Sequence, residues 1–324
     1  MHRYPRLVSS RPHLPQRSPF DHLRMGEYAR VMTDLVVVAN TEKIPKKDLS
    51  ELEGALGTAG FAKVKVVAIQ RGSDAKEVAA KAVKHGVDTV VACGGDGTVR
   101  AAAEALVGTR AALAVVPRGT ANLFASGLGL PSDIGEIVGL IACQERRTID
   151  TATLNGKTFC VMAGVGFDVR MLDGAEDGKE RMGTLAYVAS GVRAARQRTL
   201  FAATVVVDGE ELYDGKVSCI LVGNAGRLKA GMEAFPGASP TDGLVHVAIV
   251  TATGLRQWGG IVAAAAVRKP EWSRNALLSE GKEITVRFAK KHHFELDGGV
   301  KTRAKRLEFK VRPRSLHVVA PAQG

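Results

Sequence analysis

The sequence predicts an α/β first half built on a parallel sheet and a second half of largely antiparallel β structure. Three observations carry this. Apolar runs alternate with helical patterns between residues 35 and 142, as in a sheet wound with helices. One junction reads as strand, glycine loop and helix: Thr89–Cys93, then Gly94-Gly95-Asp96-Gly97-Thr98, then an alanine-rich helical pattern. After Asp150 the texture changes to short β-rich runs, which sets a domain boundary near that residue. A chain of 324 residues has room for two domains with their own cores.

Taken in order, residues 1–32 contain Pro5, Pro12, Pro15 and Pro19 with no sustained periodicity. They read as a disordered basic extension, with Met25 or Met32 as alternative starts. A nucleotide-binding α/β domain is expected over 33–150. Leu35–Ala39 is a buried strand, Leu49–Gly57 a helix, Val64–Ile69 a strand, and Ala75–His85 a helix stopped by Gly86. Ser73 or Asp74 would cap that helix, whose Ala79, Ala82 and Val83 would face inward. Ala112–Val116 is a second buried strand after the glycine loop, and residues 133–142 form a further helix. The second domain, 151–320, should hold strands at Thr158–Val161, Ala203–Val207, Val217–Val222, Leu244–Ile249, Glu283–Phe288, His292–Leu296 and Leu307–Val311. A helical insert around Gly183–Gln197 interrupts them. Leu316–Ala320 is a last strand able to return to either domain.

Three glycines in four residues let the backbone turn sharply and approach a ligand closely. The loop feeds a helix N-terminus, where unpaired N–H groups and the helix dipole favour phosphate. Asp96 would repel phosphate unless a cation lay between them, so the loop suggests a nucleotide held with Mg2+. An unliganded strand-to-helix turn is the competing reading. Pro117-Arg118-Gly119-Thr120-Ala121-Asn122 repeats the logic after the next strand, and such loops share one crevice in a doubly wound sheet. Thr120 and Asn122 would stand beside the phosphates or the base, or would simply cap the helix that follows.

The formal charge of +12 is concentrated at the two ends: residues 1–31 carry +4 and residues 282–314 carry +7. Such ends suit an anionic membrane surface or nucleic acid. No zinc-finger, RNA-recognition or recognition-helix pattern supports nucleic acid. The longest clean apolar run, near Ile261–Val267, is far short of a membrane span, and no signal-peptide pattern opens the chain. Cys93, Cys143, Cys160 and Cys219 are widely spaced in apolar contexts and read as free thiols of a reducing compartment. The expected location is cytoplasmic.

The motifs together resemble the soluble diacylglycerol kinase catalytic family, which includes bacterial lipid kinases and is related to sphingosine and ceramide kinases. More distantly they resemble NAD kinases and phosphofructokinases, which share the GGDG loop. Beyond that loop and the Gly119-Thr120-x-Asn122 helix start, the matching segments are Val165-Gly166-Phe167-Asp168, Gly183-Thr184-Leu185-Ala186-Tyr187, Val222-Gly223-Asn224, Pro240-Thr241-Asp242-Gly243 and Leu296-Asp297-Gly298. They span roughly residues 34–320 in the family's order.

The resemblance implies an NAD kinase/phosphofructokinase-like α/β domain, a β-rich lipid-substrate domain, and an active site in the cleft between them. It implies an ATP- and Mg2+-dependent kinase acting on a lipid hydroxyl, most simply diacylglycerol, with sphingoid bases or phosphatidylglycerol as alternatives. It also implies peripheral association with the inner face of the cell membrane, and it is compatible with a homodimer. Gly94, Gly95, Gly97 and Thr98 would cradle phosphates, joined by Asn40, Gly119, Thr120 and Asn122. Asp96 would position Mg2+, and Asp297 would be the general base, against the plain alternative of a hairpin turn. Asp242 and Leu244 would form a second, structural cation site, where turn geometry alone also explains an aspartate before glycine.

Two departures stand out. The family's opening Asn-Pro-x-x-Gly-Lys is here Asn40-Thr41-Glu42-Lys43-Ile44-Pro45, which puts a nucleotide role for Lys43 or Lys46 in question. The family's Asp-Gly-Glu is here Asp297-Gly298-Gly299. A nucleotide- or lipid-binding regulator without turnover is the reading that Gly299 favours. NAD kinase is the other, but the Thr-Pro-x-Gly-Ser-x-Ala-Tyr segment expected of it is absent.

Overall fold

The computed structural model describes residues 35–61, 63–166, 200–226, 234–266, 273–297 and 302–322. The expected 1–32 extension, Phe167-Asp168, the 183–197 insert and Gly298-Gly299 lie outside them.

The first half follows the alternation in the sequence. Strands β1 (Leu35–Asn40), β2 (Val64–Ile69), β3 (Thr89–Gly94) and β4 (Ala112–Pro117) are parallel and lie in the order β2-β1-β3-β4. Every residue of β1, β3 and β4 is buried, because helices cover the sheet and leave no face for polar side chains. Helix α1 (Lys46–Thr58) packs with α5 (Ile134–Ala142), and α2 (Ala75–Lys84) with α3 (Asp96–Leu106). The short α4 (Leu123–Leu128) follows β4. The order in which strands are added reverses between β1 and β3, so the crevice at their carboxyl ends is the natural ligand position. Asn40 ends β1 and Gly94 ends β3.

One local expectation is corrected. Neither Ser73 nor Asp74 caps α2 through its side chain. A 3-10 turn at Gly72–Asp74 leads into the helix instead, and Asp74 is drawn to Arg71 at 3.3 Å. Ala79 and Ala82 are buried, with Val83 packed against the same core.

The second half is antiparallel. It contains β5 (Arg146–Leu154), β6 (Lys157–Phe159), β7 (Met162–Val165), β8 (Phe201–Val207), β9 (Glu210–Val217), β10 (Cys219–Gly223), β11 (Val245–Val250), α6 (Leu255–Ala266), β12 (Ala276–Gly281), β13 (Glu283–Leu296) and β14 (Thr302–Val319). The main path runs β12-β11-β10-β7-β13-β14 and continues through β4 into the parallel strands. β14 is the junction. Leu307 and Phe309 pair antiparallel with β13, while His317 and Val318 pair parallel with β4.

The long strands differ from the pattern read in the sequence. The runs at Glu283–Phe288 and His292–Leu296 are one strand, with a register shift between Arg287 and His292. Leu307–Val311 and Leu316–Ala320 likewise belong to one long element, shifted between Arg312 and Leu316. Pro313 lies in that interval and has no N–H to give a ladder. A bulge adds an unpaired residue and breaks period-two alternation, so one strand reads as two. Of Thr158–Val161, only Thr158 and Phe159 belong to a strand, β6; Cys160 and Val161 form the bend that leads into β7. β9 escapes the pattern because it pairs with β8 alone and carries four charged residues among its eight, with one buried position, as exposed edges do.

Two cores result. One joins the parallel strands and their helices to Cys160–Met162 and to the end of β14. The other lies within the antiparallel half, around Phe159 and Phe309, whose rings meet edge to face at 6.2 Å. Among the described residues no helix is long and apolar enough to cross a membrane.

Candidate active site

The glycine loop turns directly from β3 into α3, with Gly95 in extended conformation at the helix cap. The second loop leaves β4 alongside it. The two meet backbone to backbone: a Cβ on Gly119 would overlap the Cα of Gly95, and one on Gly94 would lie 2.7 Å from Thr98 Oγ1. Arg118 N–H donates to Gly94 C=O at 2.9 Å. Gly95 and Gly119 are therefore set by contact between the loops, and Gly94 by the side chains of Thr98 and Asn40. Gly97 is different: a Cβ there would meet nothing within 4 Å, so its face of the helix start is open.

Side chains brace this junction. Asn122 has a left-handed backbone (φ 47°) at the N-cap of α4, and its side chain makes no cap hydrogen bond to that helix. Its Oδ1 accepts from Gly119 N–H at 2.8 Å and its Nδ2 donates to Gly119 C=O at 2.7 Å. Asp96 Oδ1 accepts from Phe124 N–H at 3.1 Å, tying the start of α3 to the start of α4. Asn40 is buried and donates from Nδ2 to Thr98 Oγ1 at 3.2 Å. Arg118 Nε donates to Asp48 Oδ2 on α1 at 2.6 Å, which fastens the second loop from behind. Thr120 is half-buried in the same loop. All the expected nucleotide residues, Asn40, Gly94–Thr98, Gly119, Thr120 and Asn122, thus gather at the carboxyl ends of β1, β3 and β4. Cys93 beneath them is inert: burial pushes its thiol up to about 12, although Arg118 pulls it back.

Asp297, the general base that the resemblance implies, is held among main-chain donors. It is buried, with a left-handed backbone (φ 41°). Its Oδ2 accepts from Cys160 N–H at 2.9 Å, and its Oδ1 from Val161 N–H at 2.9 Å and Met162 N–H at 3.0 Å. Burial pushes its carboxyl above the ordinary value. The three N–H groups and the charge of Arg100 pull it back without cancelling the effect. Arg100 stands one turn after Asp96 on α3, the same helix face, and its Nε is buried without a partner among the described residues.

Sequence reasoning missed Asp150 as a functional support. It is buried and accepts from Gly243 N–H and Arg314 N–H, each at 2.7 Å. Asn224, fully buried, donates to the main-chain oxygens of Asp150 at 2.8 Å and Cys160 at 3.3 Å. The Val222-Gly223-Asn224 motif was the available signal; Asp150 had none beyond its place between two textures.

The fit to Mg2+ differs between the two expected positions. Asp96 is one half-buried carboxylate at a helix start whose Gly97 face is open, which suits a cation shared with phosphate oxygens and water. Asp242 does not fit. Its Oδ2 accepts from Ser239 N–H at 2.8 Å and its Oδ1 from Leu244 N–H at 2.9 Å, with His246 Nε2 3.0 Å from Oδ2. His246 Nδ1 in turn lies 3.1 Å from Glu280. Donors surround this carboxylate, and among the described residues no three His, Cys, Asp or Glu side chains are grouped to hold a metal.

A nucleotide-type loop at the switch point of a parallel sheet, continued into an antiparallel half, defines the kinase class to which the comparisons lead. The diacylglycerol kinase catalytic domain matches residues 34–154, and the YegS C-terminal NAD kinase beta sandwich-like domain matches residues 161–320. A probable lipid kinase YegS-like of Pseudomonas putida is 30% identical over 297 residues, covering 89% of this chain and 95% of the relative. The chain belongs to this family of YegS-like, diacylglycerol kinase-related lipid kinases.

Other relatives match over less of their length. An uncharacterized protein of Synechocystis is 31% identical over 245 residues, which is 74% of this chain and 56% of that protein. A probable lipid kinase YegS-like of Klebsiella pneumoniae is 36% identical over 55% of this chain and 61% of its own. The fold is shared with a putative diacylglycerol kinase from Bacillus anthracis, with TM-score 0.74, 22% identity, and 90% and 97% of the two chains covered. It is also shared with an NAD kinase from Archaeoglobus fulgidus in complex with ATP, with TM-score 0.52, 13% identity, and 88% and 93% covered.

Proposed function

We propose that this protein transfers the γ-phosphoryl group of ATP to a primary hydroxyl of a lipid, with diacylglycerol as the acceptor and phosphatidic acid as the product. The observation that carries the reading is the junction of the two glycine loops over the start of α3. It combines an open helix N-terminus, a backbone approach without side chains at Gly97, and one carboxylate, Asp96. Phosphoryl transfer is catalysed mainly by positioning and electrostatics, and these are what the junction offers. Mg2+, when bound, would neutralise phosphate charge beside Asp96. Asn122 and Arg118 keep the second loop in place; Asn40 and Thr98 keep the first.

Asp297 serves in this reading as a positioning residue. It fastens the β6–β7 junction to the end of β13, and the charge of Arg100 connects it to the helix that carries Asp96. The protein would meet its acceptor from the water side, at the inner face of the cell membrane, drawn by its basic surface.

The test offers labelled ATP and Mg2+ with diacylglycerol in mixed micelles, with phosphatidylglycerol or a sphingoid base in the same micelles, and with NAD in solution. Label in phosphatidic acid is the expected result. Label in phosphatidylglycerol or the sphingoid base alone would move the acceptor, and label in NAD alone would overturn the lipid reading. ATP binding without transfer to any acceptor would make the protein a regulator.

A further inference from the structure

A cavity of about 680 Å3 opens on the antiparallel half, near the end of β7 that lies away from Asp297. Leu200, Phe201 and Trp258 form its apolar side, and Lys290 and His293 its polar side. Strand register separates it from the site already described. Phe294 pairs with Val165, whereas Asp297 N–H reaches Met162 C=O at the other end of β7. His293 on β13 and Asp297, just past its end, are four residues apart, roughly 13 Å at the rise of a strand.

The polar side owes its shape to the register shift of β13. Between Arg287 and His292 the ladder with β14 is interrupted, and a bulge of this kind re-aims side chains. Lys290 and Lys291 project there, exposed, with no acidic partner among the described residues. Their surroundings add positive charge. Arg287 stands opposite Arg306, and Arg303 lies across from His293. Like charges set opposite each other across a sheet are unfavourable. Among the described residues, Arg306 alone of this group has an acid, Glu308, at 2.6 Å. Arg303 Nε donates to His293 Nε2 at 2.8 Å and braces that ring at the mouth of the cavity.

His292 belongs to the apolar wall. Its ring lies 4.6 Å from Phe201 and 5.0 Å from Phe288, and burial lowers its pKa. Leu200 is 37% exposed, one of two large apolar side chains in that state among the described residues. Uncompensated positive charge therefore meets an apolar hollow whose rim is itself apolar. A hollow without charge would suit a neutral lipid, and a basic patch without a hollow would suit any polyanion. The combination selects an amphiphile with an anionic head.

We propose that this cavity binds an anionic phospholipid, its phosphate at Lys290 and the Arg303-braced His293, and the first part of its acyl chain against Trp258, Phe201 and Leu200. It is a docking site separate from the phosphoryl-transfer site, and it rests on the reading that the protein works at a lipid surface.

Trp258 is one of two tryptophans in the chain, so the full chain carrying Trp272→Phe makes it the sole fluorescent reporter. Short-chain phosphatidic acid, phosphatidylcholine of the same chain length and inorganic phosphate are titrated without ATP. Phosphatidic acid should give a saturable change and the other two little. Lys290→Glu, at an exposed position, should weaken phosphatidic acid at least about tenfold. Ala202→Phe, which fills the hollow and keeps the charge, should weaken it too. Equal titration by phosphatidylcholine, the whole response from inorganic phosphate, or wild-type affinity in Lys290→Glu would each overturn the site. Because ATP is absent, a protein that binds here but transfers no phosphate retains the cavity and loses the kinase reading. A kinase with no such binding retains the reading and loses the cavity.

Discussion

In the parallel half, Gly95 and Gly119 let two loops touch backbone to backbone, whereas in the antiparallel half four aspartates fasten the turns by accepting main-chain N–H groups. Asp150 holds Gly243 and Arg314, Asp297 holds residues 160–162, Asp208 holds Lys282 and Glu283, and Asp242 holds Ser239 and Leu244. The difference follows from what each region must leave open. Loops over the carboxyl ends of parallel strands need proximity without bulk if a ligand is to enter the crevice there. Turns and crossovers among antiparallel strands leave N–H groups without ladder partners, and buried donors need acceptors. One residue type thus holds two posts here. Asp96 is half-open at a helix start, and Asp297 is enclosed by donors.

The sharpest test of that contrast is Asp96→Asn. The amide oxygen can still accept from Phe124 N–H, so the thermal midpoint should hold. Loss of the carboxylate beside phosphate should cost turnover on the order of a thousandfold. Turnover within a factor of about three at saturating Mg2+ would remove Asp96 from the chemistry.

Next in size is the loop contact. Gly119→Ala drives a methyl group into Gly95 and should lower turnover about a hundredfold, since small displacements of positioned groups cost that much, with a fall in thermal midpoint. Gly97→Ala is its control. It meets no atom and replaces glycine within a helix, so stability should hold or rise by up to about 1 kcal/mol, while nucleotide affinity falls. Equal behaviour of the two variants in both assays would mean that these glycines share one role.

Asp297→Asn should act mainly on stability. Asparagine tolerates the left-handed backbone, but its amide would set N–H against the N–H groups that the carboxylate now accepts, costing about 1–3 kcal/mol in denaturant unfolding. The pH profile gives a second signature. Burial raises the folded-state pKa above the ordinary 3.8, so the folded state holds the proton more tightly than the unfolded chain. That stabilising contribution is complete below 3.8 and is lost as pH rises through the raised folded value. The decline should vanish in Asp297→Asn. An unchanged midpoint and profile would return Asp297 to the role of a free base.

The smallest effect concerns the thiols. Cys143 is exposed, while Cys93, Cys160 and Cys219 are buried, with thiols pushed up chiefly by burial. Native protein at neutral pH should therefore alkylate once, and all four should react only on unfolding, as read by mass spectrometry. Rapid modification of Cys93 in the native state would show that the floor beneath the glycine loops opens.

The sequence by itself determined the parallel half almost element by element. Its strands are buried on both faces and its helices are amphipathic or alanine-rich, so local pattern and final environment agree. It also marked the residues of the two glycine loops, because glycine where backbones must approach leaves a visible trace. Tertiary structure alone decided three things. It joined the split runs of β13 and β14 into long strands, since a bulge or a proline erases the alternation that reports a strand. It made β14 the seam between the two halves, a matter of which distant strand lies alongside. And it gave Asp150 and Asp297 their partners, because a carboxylate carries no sign in the chain of which far-off N–H groups it will meet once both are removed from water.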